Sequence, residues 1–336
     1  MINMQSRIIK WFKGFFPVGL LWLCFANNGL AYEGKLAPYE RKLAPYERVS
    51  GISGNLSSIG SDTLANMMTL WAEDFQRIYP RVHIQIQASG SSTAAPALIE
   101  STAQFGPMSR KMRQSEKAAF ERQFGYPPTE IRVAIDALGI FVHQDNPIEG
   151  LNFSQLDAIF SATLRCGALK SISRWQDLGI HTSWAKHRIQ LFGRNSVSGT
   201  YGYFKNNALC NGDFKVNVNE QPGSASVVQG ISASLNGIGY SGVGYQMSGV
   251  KLLPISKTGT DYIEPTTDNI INGQYPLARF LYIYINKPPT AKLPPLDAEF
   301  IRYMLSREGQ DRVEQDGYIA LPERFVLQEL SKLDLH

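Results

Sequence analysis

Three times in this sequence a β-favouring run ends in a short turn of Ser, Thr, Gly or Asp that opens directly into an amphipathic helical pattern. The first turn is Gly60-Ser61-Asp62-Thr63, after the run Ile52 to Ser58 and ahead of Leu64, Met67, Met68, Trp71, Phe75 and Ile78. The second is Ala88-Ser89-Gly90-Ser91-Ser92-Thr93, between the alternating Val82, Ile84 and Ile86 and a helix carrying Ala95, Leu98 and Ile99. The third is Gly193-Arg194-Asn195-Ser196-Val197-Ser198-Gly199-Thr200, which follows Ile189 to Phe192 and leads into a helix from about Ser198 bearing Tyr201 and Phe204. One such turn alone is a good helix cap. Three of them commit the chain to alternating strands and helices, hence to parallel or mixed sheets covered by helices, with the turns gathered beyond the strand C-termini where ligands sit in such sheets.

The chemistry of these turns suits an oxyanion. Helix N-termini present unpaired backbone N–H groups and a partial positive charge, hydroxyls add neutral donors, and one Arg can fork onto two oxygens. Arg194 precedes a hydroxyl-glycine-hydroxyl turn, where a cation and N–H groups can face one anion, and Gly199 lets the backbone approach closely.

The pattern continues to the C-terminus. Phe105-Gly106-Pro107-Met108-Ser109-Arg110 ends a strand-like piece, Val133 to Val142 reads as strands, and Asp145-Asn146-Pro147 restarts the pattern with a short helix from Ser154 to Phe160. Gln221-Pro222-Gly223-Ser224-Ala225-Ser226 precedes a helix with Val227, Val228 and Ile231 on one face; Ser224 and Ser226 read as its caps or as rim contacts. Leu277 to Ile285 is strongly β-favouring, and two helices are expected around Phe300 to Leu305 and Gly309 to Gln315. At 336 residues there is enough chain for two lobes, each with a core of its own.

Residues 1–31 have a secretory layout: basic residues to Lys13, an apolar stretch from Phe15 to Phe25, then Gly29-Leu30-Ala31, with cleavage expected after Ala31 and a periplasmic or secreted mature protein. The alternative is a retained N-terminal anchor. The bulky Leu23 ahead of Cys24 argues against lipidation. Removing Arg7, Lys10 and Lys13 from 33 basic residues leaves 30 against 29 acidic, and no basic block interleaved with aromatics appears, so nucleic acid is not an expected partner. Cys166 and Cys210 remain in an oxidising compartment, and a disulfide is the simplest account. A nucleophile or metal pair would call for CxxC spacing and a nearby His, which the sequence lacks.

Residues 35–48 repeat Lys-Leu-Ala-Pro-Tyr-Glu-Arg twice, with Pro38 and Pro45 interrupting any helix. Residues 32–50 read as a mobile spacer, with a docking segment anchored by Tyr39 and Tyr46 as the alternative. An enzyme is not expected. Ser198 lacks the Gly-x-Ser-x-Gly setting, and His83, His143, His181, His187 and His336 form no HExxH-type cluster, so neither a triad nor a metal or other cofactor is called for.

Together, Asp145-Asn146-Pro147 with Leu156 to Ser161, Arg194 to Thr200, Gly237 to Tyr240, Tyr275 to Arg279 and Ser306 to Gln310 resemble the phosphate-binding substrate-binding proteins of ABC transporters, over almost all of the chain from about Gly54. The resemblance implies an α/β type II periplasmic binding fold: two lobes, each a mixed sheet flanked by helices, joined by hinge strands that close over phosphate, in a monomer that hands its ligand to ABC transporter membrane subunits. It assigns 51–137 and 250–336 to a first lobe and 138–249 to a second. It implies ligand contacts from Ser61, Asp62 and Thr63, from Ser91 and Ser92, and from Arg194, Ser198, Gly199 and Thr200. Some family members carry an Asp that accepts the proton of hydrogen phosphate where this sequence has Ser109, next to Arg110. That departure leaves sulfate or a phosphonate open as ligand, and a secreted adhesion or sensing role on the same fold as a further alternative. Arg110 has two roles open, ligand contact or pairing across the cleft. Asp62 is the candidate replacement acceptor, or else a plain helix cap.

Overall fold

The computed structural model describes residues 43–335. The expected leader, its cleavage point and the first copy of the repeat lie outside the described residues. Strand β1 (Gly54–Ile59) runs through the first Ser/Asp/Thr turn into helix α1 (Ala65–Ile78), whose Met67, Met68, Trp71 and Phe75 are buried, as the apolar spacing of the sequence requires. β2 (Val82–Gln87) returns parallel to β1, with Gly54 opposite Val82. The second turn opens α2 (Ala94–Ile99), followed by β3 (Gly106–Met108) and α3 (Gln114–Phe124).

Then comes β4 (Thr129–His143), one continuous strand. Beyond it lie β5 (Leu151–Asn152), α4 (Phe153–Phe160), β6 (Gln190–Arg194), α5 (Gly199–Ala208), β7 (Asn219–Gln221), α6 (Ser224–Ser232), β8 (Gly237–Gly242), β9 (Val250–Leu253), β10 (Ile255–Ser256) and α7 (Thr267–Ile271). β11 (Ala278–Ile285) leads to α8 (Pro295–Leu305), α9 (Arg307–Gln315) and α10 (Glu323–Lys332).

β4 divides the molecule. Its first half pairs antiparallel with β11, from Thr129 opposite Ile285 to Ala137 opposite Ala278. Its second half pairs with β8 on one side, from Leu138 opposite Gly242, and with β9 on the other, from Ile140 opposite Leu253. The strand order β3-β11-β4-β8-β6-β7 therefore passes from one lobe to the other along a single chain segment, and the parallel pairs β6–β8 and β6–β7 complete the second lobe's mixed sheet. β4 is buried almost throughout because both lobes cover it, so its sequence is a nearly unbroken apolar run.

Two expectations need correction. The chain does not re-enter the first lobe at residue 250: β9 pairs with the second half of β4 and β10 with β5, so the pairing changes only at Leu277 and Ala278. The expected spacer 32–50 is not free along its described part. Leu43 is 7% exposed, the Tyr46 ring meets Tyr303 edge-on at 5.5 Å, and the Tyr46 N–H donates to Glu308 Oε2 at 2.7 Å. Burying Leu43 in the core and the Tyr46 ring against Phe75, Tyr79 and Tyr303 removes apolar surface from water, and the Tyr46 hydroxyl is satisfied by Glu299 and Tyr79. The disulfide Cys166–Cys210, with 5.3 Å between Cα atoms, ties the loop after α4 to the end of α5.

Candidate functional site

The third turn builds the second lobe's wall of the cleft. Ser198 is the N-cap of α5, extended at φ −67° and ψ 136°, and its Oγ accepts from the N–H groups of Thr200 and Tyr201. That fixes the first turn of the helix and aims its N-terminus, with the associated partial positive charge, at the first lobe. What it meets there is two serines. A Cβ placed on Gly199 would collide with Ser91 Oγ and stand 2.5 Å from Ser109 Oγ, so glycine alone admits this approach. Ser91 Oγ accepts from the Ser109 N–H at 3.0 Å, and the two hydroxyls lie 3.3 Å apart.

Further contacts bridge the lobes around this point. Thr63 Oγ1 and Thr200 Oγ1 are 3.2 Å apart, and the Ser92 N–H donates to Val197 O at 3.1 Å. Gly90, at φ +117°, lets that segment pass the Val197 backbone, where a Cβ would stand 2.9 Å from the carbonyl oxygen. The Tyr318 hydroxyl donates to Thr63 O at 2.7 Å from the first lobe, and the Tyr245 hydroxyl reaches the same carbonyl from the second at 3.3 Å.

The arginines occupy positions that the sequence leaves undetermined. Arg194 is 1% exposed: Nε donates to Gln221 O, Nη1 to Ser224 Oγ, and Nη2 to Pro222 O and to Asp62 Oδ1, the last at 2.5 Å. The other oxygen of Asp62 accepts from the Ser224 N–H at 3.1 Å. Asp62 is therefore not a cap of its own helix but a tie to the opposite lobe, and Ser224 serves Arg194 instead of capping α6. Arg110 forks onto both oxygens of Glu116 at 2.7 Å within its own lobe and reaches Ser92 Oγ at 3.2 Å. It makes no ion pair across the cleft among the described residues. Ser61 Oγ is buried with no hydrogen-bond partner among the described residues.

A second buried ion pair escaped the site residues read from the sequence. Arg279 on β11 and Asp136 on β4 are register partners, 2.7 Å apart, and Arg279 Nη2 also donates to Thr200 Oγ1 at 3.1 Å. Burial pushes the Asp136 carboxyl above the usual carboxylate range, with the Arg279 guanidinium pulling the other way. The signal was available: Asp136 is the one charge within Val133 to Val142, and a carboxylate in a buried strand needs a partner.

Residues 47–308 match the family model described as the PBP superfamily domain. The phosphate-binding protein PstS of Pseudomonas aeruginosa is 56% identical over 314 residues, 93% of this chain and 97% of that one. Among solved structures, a putative phosphate ABC transporter substrate-binding protein with bound phosphate from Clostridium perfringens aligns at TM-score 0.67 with 26% identity, over 80% of this chain and all of that one. A possible phosphate-binding protein from Planctomyces limnophilus aligns at TM-score 0.62 with 29% identity, over 84% of this chain and 99% of that one.

Proposed function

The chain belongs to the PBP superfamily and, within it, to the PstS phosphate-binding proteins; from that membership we propose that it binds inorganic phosphate between its lobes, in the periplasm, and delivers it to an ABC importer. One observation carries the reading. Ser91 and Ser109 of one lobe converge on the Gly199–Thr200 end of α5 in the other, so an anion seated there takes hydroxyls from one side and helix N–H groups from the other.

The proposed contacts are Ser91 and Ser109, the N–H groups and hydroxyl at Gly199 and Thr200, and Thr63 from the first turn, with Ser61 behind it. Ser198 shapes the helix start. Ser92 and Arg110 line the neighbouring rim, Arg110 held by Glu116, and Arg194 acts with Asp62 as a clasp between lobes. Such a set binds by closure: β4 crosses between the lobes and the chain returns at Leu277, just before β11, and the ties from Asp62 to Arg194 and Thr63 to Thr200 exist only when the lobes meet. Phosphate that touches both walls binds the closed state in preference to the open one and shifts the population toward it.

This is the chemistry expected of a receptor, in keeping with the phosphate-binding relatives: among the described residues, no hydrogen bond near the anion seat pairs a nucleophile with a histidine or carboxylate base. Cleavage after Ala31 and a monomeric mature chain belong to the same proposal. No helix among the described residues is long and apolar enough to cross a membrane.

A second reading, another tetrahedral oxyanion such as sulfate or a phosphonate, draws on Ser109, a neutral hydroxyl where a carboxylate would exclude a fully ionised ligand. Titration calorimetry with phosphate and sulfate at two pH values separates the two, and small-angle scattering follows closure. Phosphate binding that compacts the protein is expected. The absence of any anion binding would overturn the proposal in favour of a role in adhesion or sensing.

A further inference from the structure

Building on the proposed phosphate site, we propose that Asp136, oriented by Arg279, is the carboxylate that accepts the proton of the bound anion and so makes this chain select hydrogen phosphate over sulfate. The pair sits where the lobes join, with side chains 0% and 2% exposed. Arg279 Nε donates to one oxygen of Asp136, Oδ2, at 2.8 Å, and Nη2 lies 2.7 Å from the same oxygen. Asp136 Oδ1 and Arg279 Nη1 are buried with no hydrogen-bond partner among the described residues. An ion pair serving only the fold would satisfy its buried polar atoms, since each one left over is costly.

The pair is also connected to the anion seat. Arg279 Nη2 donates to Thr200 Oγ1, on the first turn of α5, and Thr200 meets Thr63 of the opposite lobe. The other charged groups of the cleft are engaged elsewhere: Asp62 with Arg194 and Ser224, Arg194 with Asp62 and the 221–224 loop, and Arg110 with Glu116. A ligand that complements the leftover atoms must offer an acceptor to Nη1 and a donor to Oδ1. Hydrogen phosphate has both. Sulfate has only acceptors and would set a bare oxygen against the carboxylate, a repulsion that low-dielectric surroundings strengthen. The acceptor lost at Ser109 is thereby supplied from the hinge.

The groups facing Asp136 are Arg279 from β11, the backbone N–H of Ala137 beside it, and the hydroxyls of Tyr203 on α5, Tyr245 after β8, Tyr275 before β11 and Tyr318 after α9. Burial pushes all four phenols up, so they stay neutral near neutral pH. Acid that protonates Asp136 turns the acceptor into a donor and admits sulfate.

Calorimetry near neutral pH with phosphate, sulfate and monofluorophosphate, a dianion of similar shape without the proton, tests this on the unmodified chain and on Asp136→Asn. The unmodified chain should prefer phosphate over both other ions. In Asp136→Asn that preference should shrink by about tenfold to a hundredfold, the worth of one charge-assisted hydrogen bond, and its pH dependence should flatten. Because Asp136→Asn leaves Arg279 buried without its partner, the double variant Asp136→Asn/Arg279→Gln is measured beside it. A preference unchanged in either folded variant overturns the inference while leaving phosphate binding intact. If neither folds, equal affinities of the unmodified chain for the three ions overturn it, and a preference for phosphate that fades on acidification supports it. No binding of phosphate by the unmodified chain would instead defeat the proposed function itself.

Discussion

Arg194 and Asp62 meet across the cleft at 2.5 Å, an ion pair formed by one residue from each lobe and reinforced by the Ser224 N–H on the second oxygen of Asp62. Neither partner could form this contact with the lobes apart, so its free energy belongs to closure. Asp62→Asn keeps the shape and removes the charge. Phosphate and sulfate affinities should fall together, by about 2 kcal/mol or about thirtyfold, with their ratio unchanged. Calorimetry with both anions checks this. A changed ratio would make Asp62 itself a reader of the anion's protonation.

Gly199 is the second position where closure and binding coincide. An added methyl meets two serine hydroxyls on short side chains that have little room to retreat, since Ser91 is itself bonded to the Ser109 backbone. Overpacking of this kind typically costs about 1–3 kcal/mol, and here it falls on the closed state only. Gly199→Ala should therefore lower phosphate affinity by about tenfold to a hundredfold, leave the melting temperature of the phosphate-free protein nearly unchanged, and move compaction in scattering to correspondingly higher phosphate concentration. An unaltered affinity would show that Ser91 and Ser109 do not face the ligand across Gly199.

The three turns were legible because their chemistry is local: Ser, Thr, Gly and Asp at a strand-to-helix junction satisfy helix N–H groups wherever the rest of the chain lies. The partners of the arginines were not. Whether Arg194 or Arg279 keeps a donor for a ligand depends on Asp62, Gln221 and Pro222 in one case and on Asp136 in the other, contacts between residues 27 to 143 positions apart that no local pattern encodes. The return between lobes was hidden for a similar reason. Val250 to Leu253 is a β-favouring run that would suit either sheet, and only its pairing with the second half of β4 assigns it. The tandem repeat was misleading in the opposite sense, because its Pro-rich composition looks like a linker although its Leu and Tyr find a seat.

That seat makes the second repeat copy part of the first lobe's stability. The Tyr46 ring touches Phe75, Tyr79 and Tyr303, and its hydroxyl joins Glu299 to Tyr79. Tyr46→Ala should cost about 2 kcal/mol, below the full value for a buried aromatic because Tyr46 remains partly exposed. Phosphate affinity should not change, since none of these contacts reaches the cleft. Urea unfolding and calorimetry on the same sample check both halves; unfolding at the unmodified midpoint would return the segment to the status of a spacer.

Lys215 gives the fold a dependence on alkaline pH. Its ammonium donates to Ala158 O at 2.7 Å and to Ile172 O at 2.8 Å, and burial pushes its pKa down to about 8 from 10.5. Between those two values the unfolded chain holds a proton that the folded chain has released. Stability therefore rises with pH across that window and carries the cost of the buried charge below it. In Lys215→Met the hydrogen bonds are lost at every pH, but the charge cost disappears. The variant should consequently fall further behind the unmodified protein at pH 9.5 than at pH 7, measured as the difference in urea midpoint. The comparison stops short of pH 10 because the buried tyrosines reverse the slope there: their raised pKa values mean that the unfolded chain ionises first. A difference between variant and unmodified protein that stays constant from pH 7 to pH 9.5 would show that Lys215 titrates like an exposed lysine.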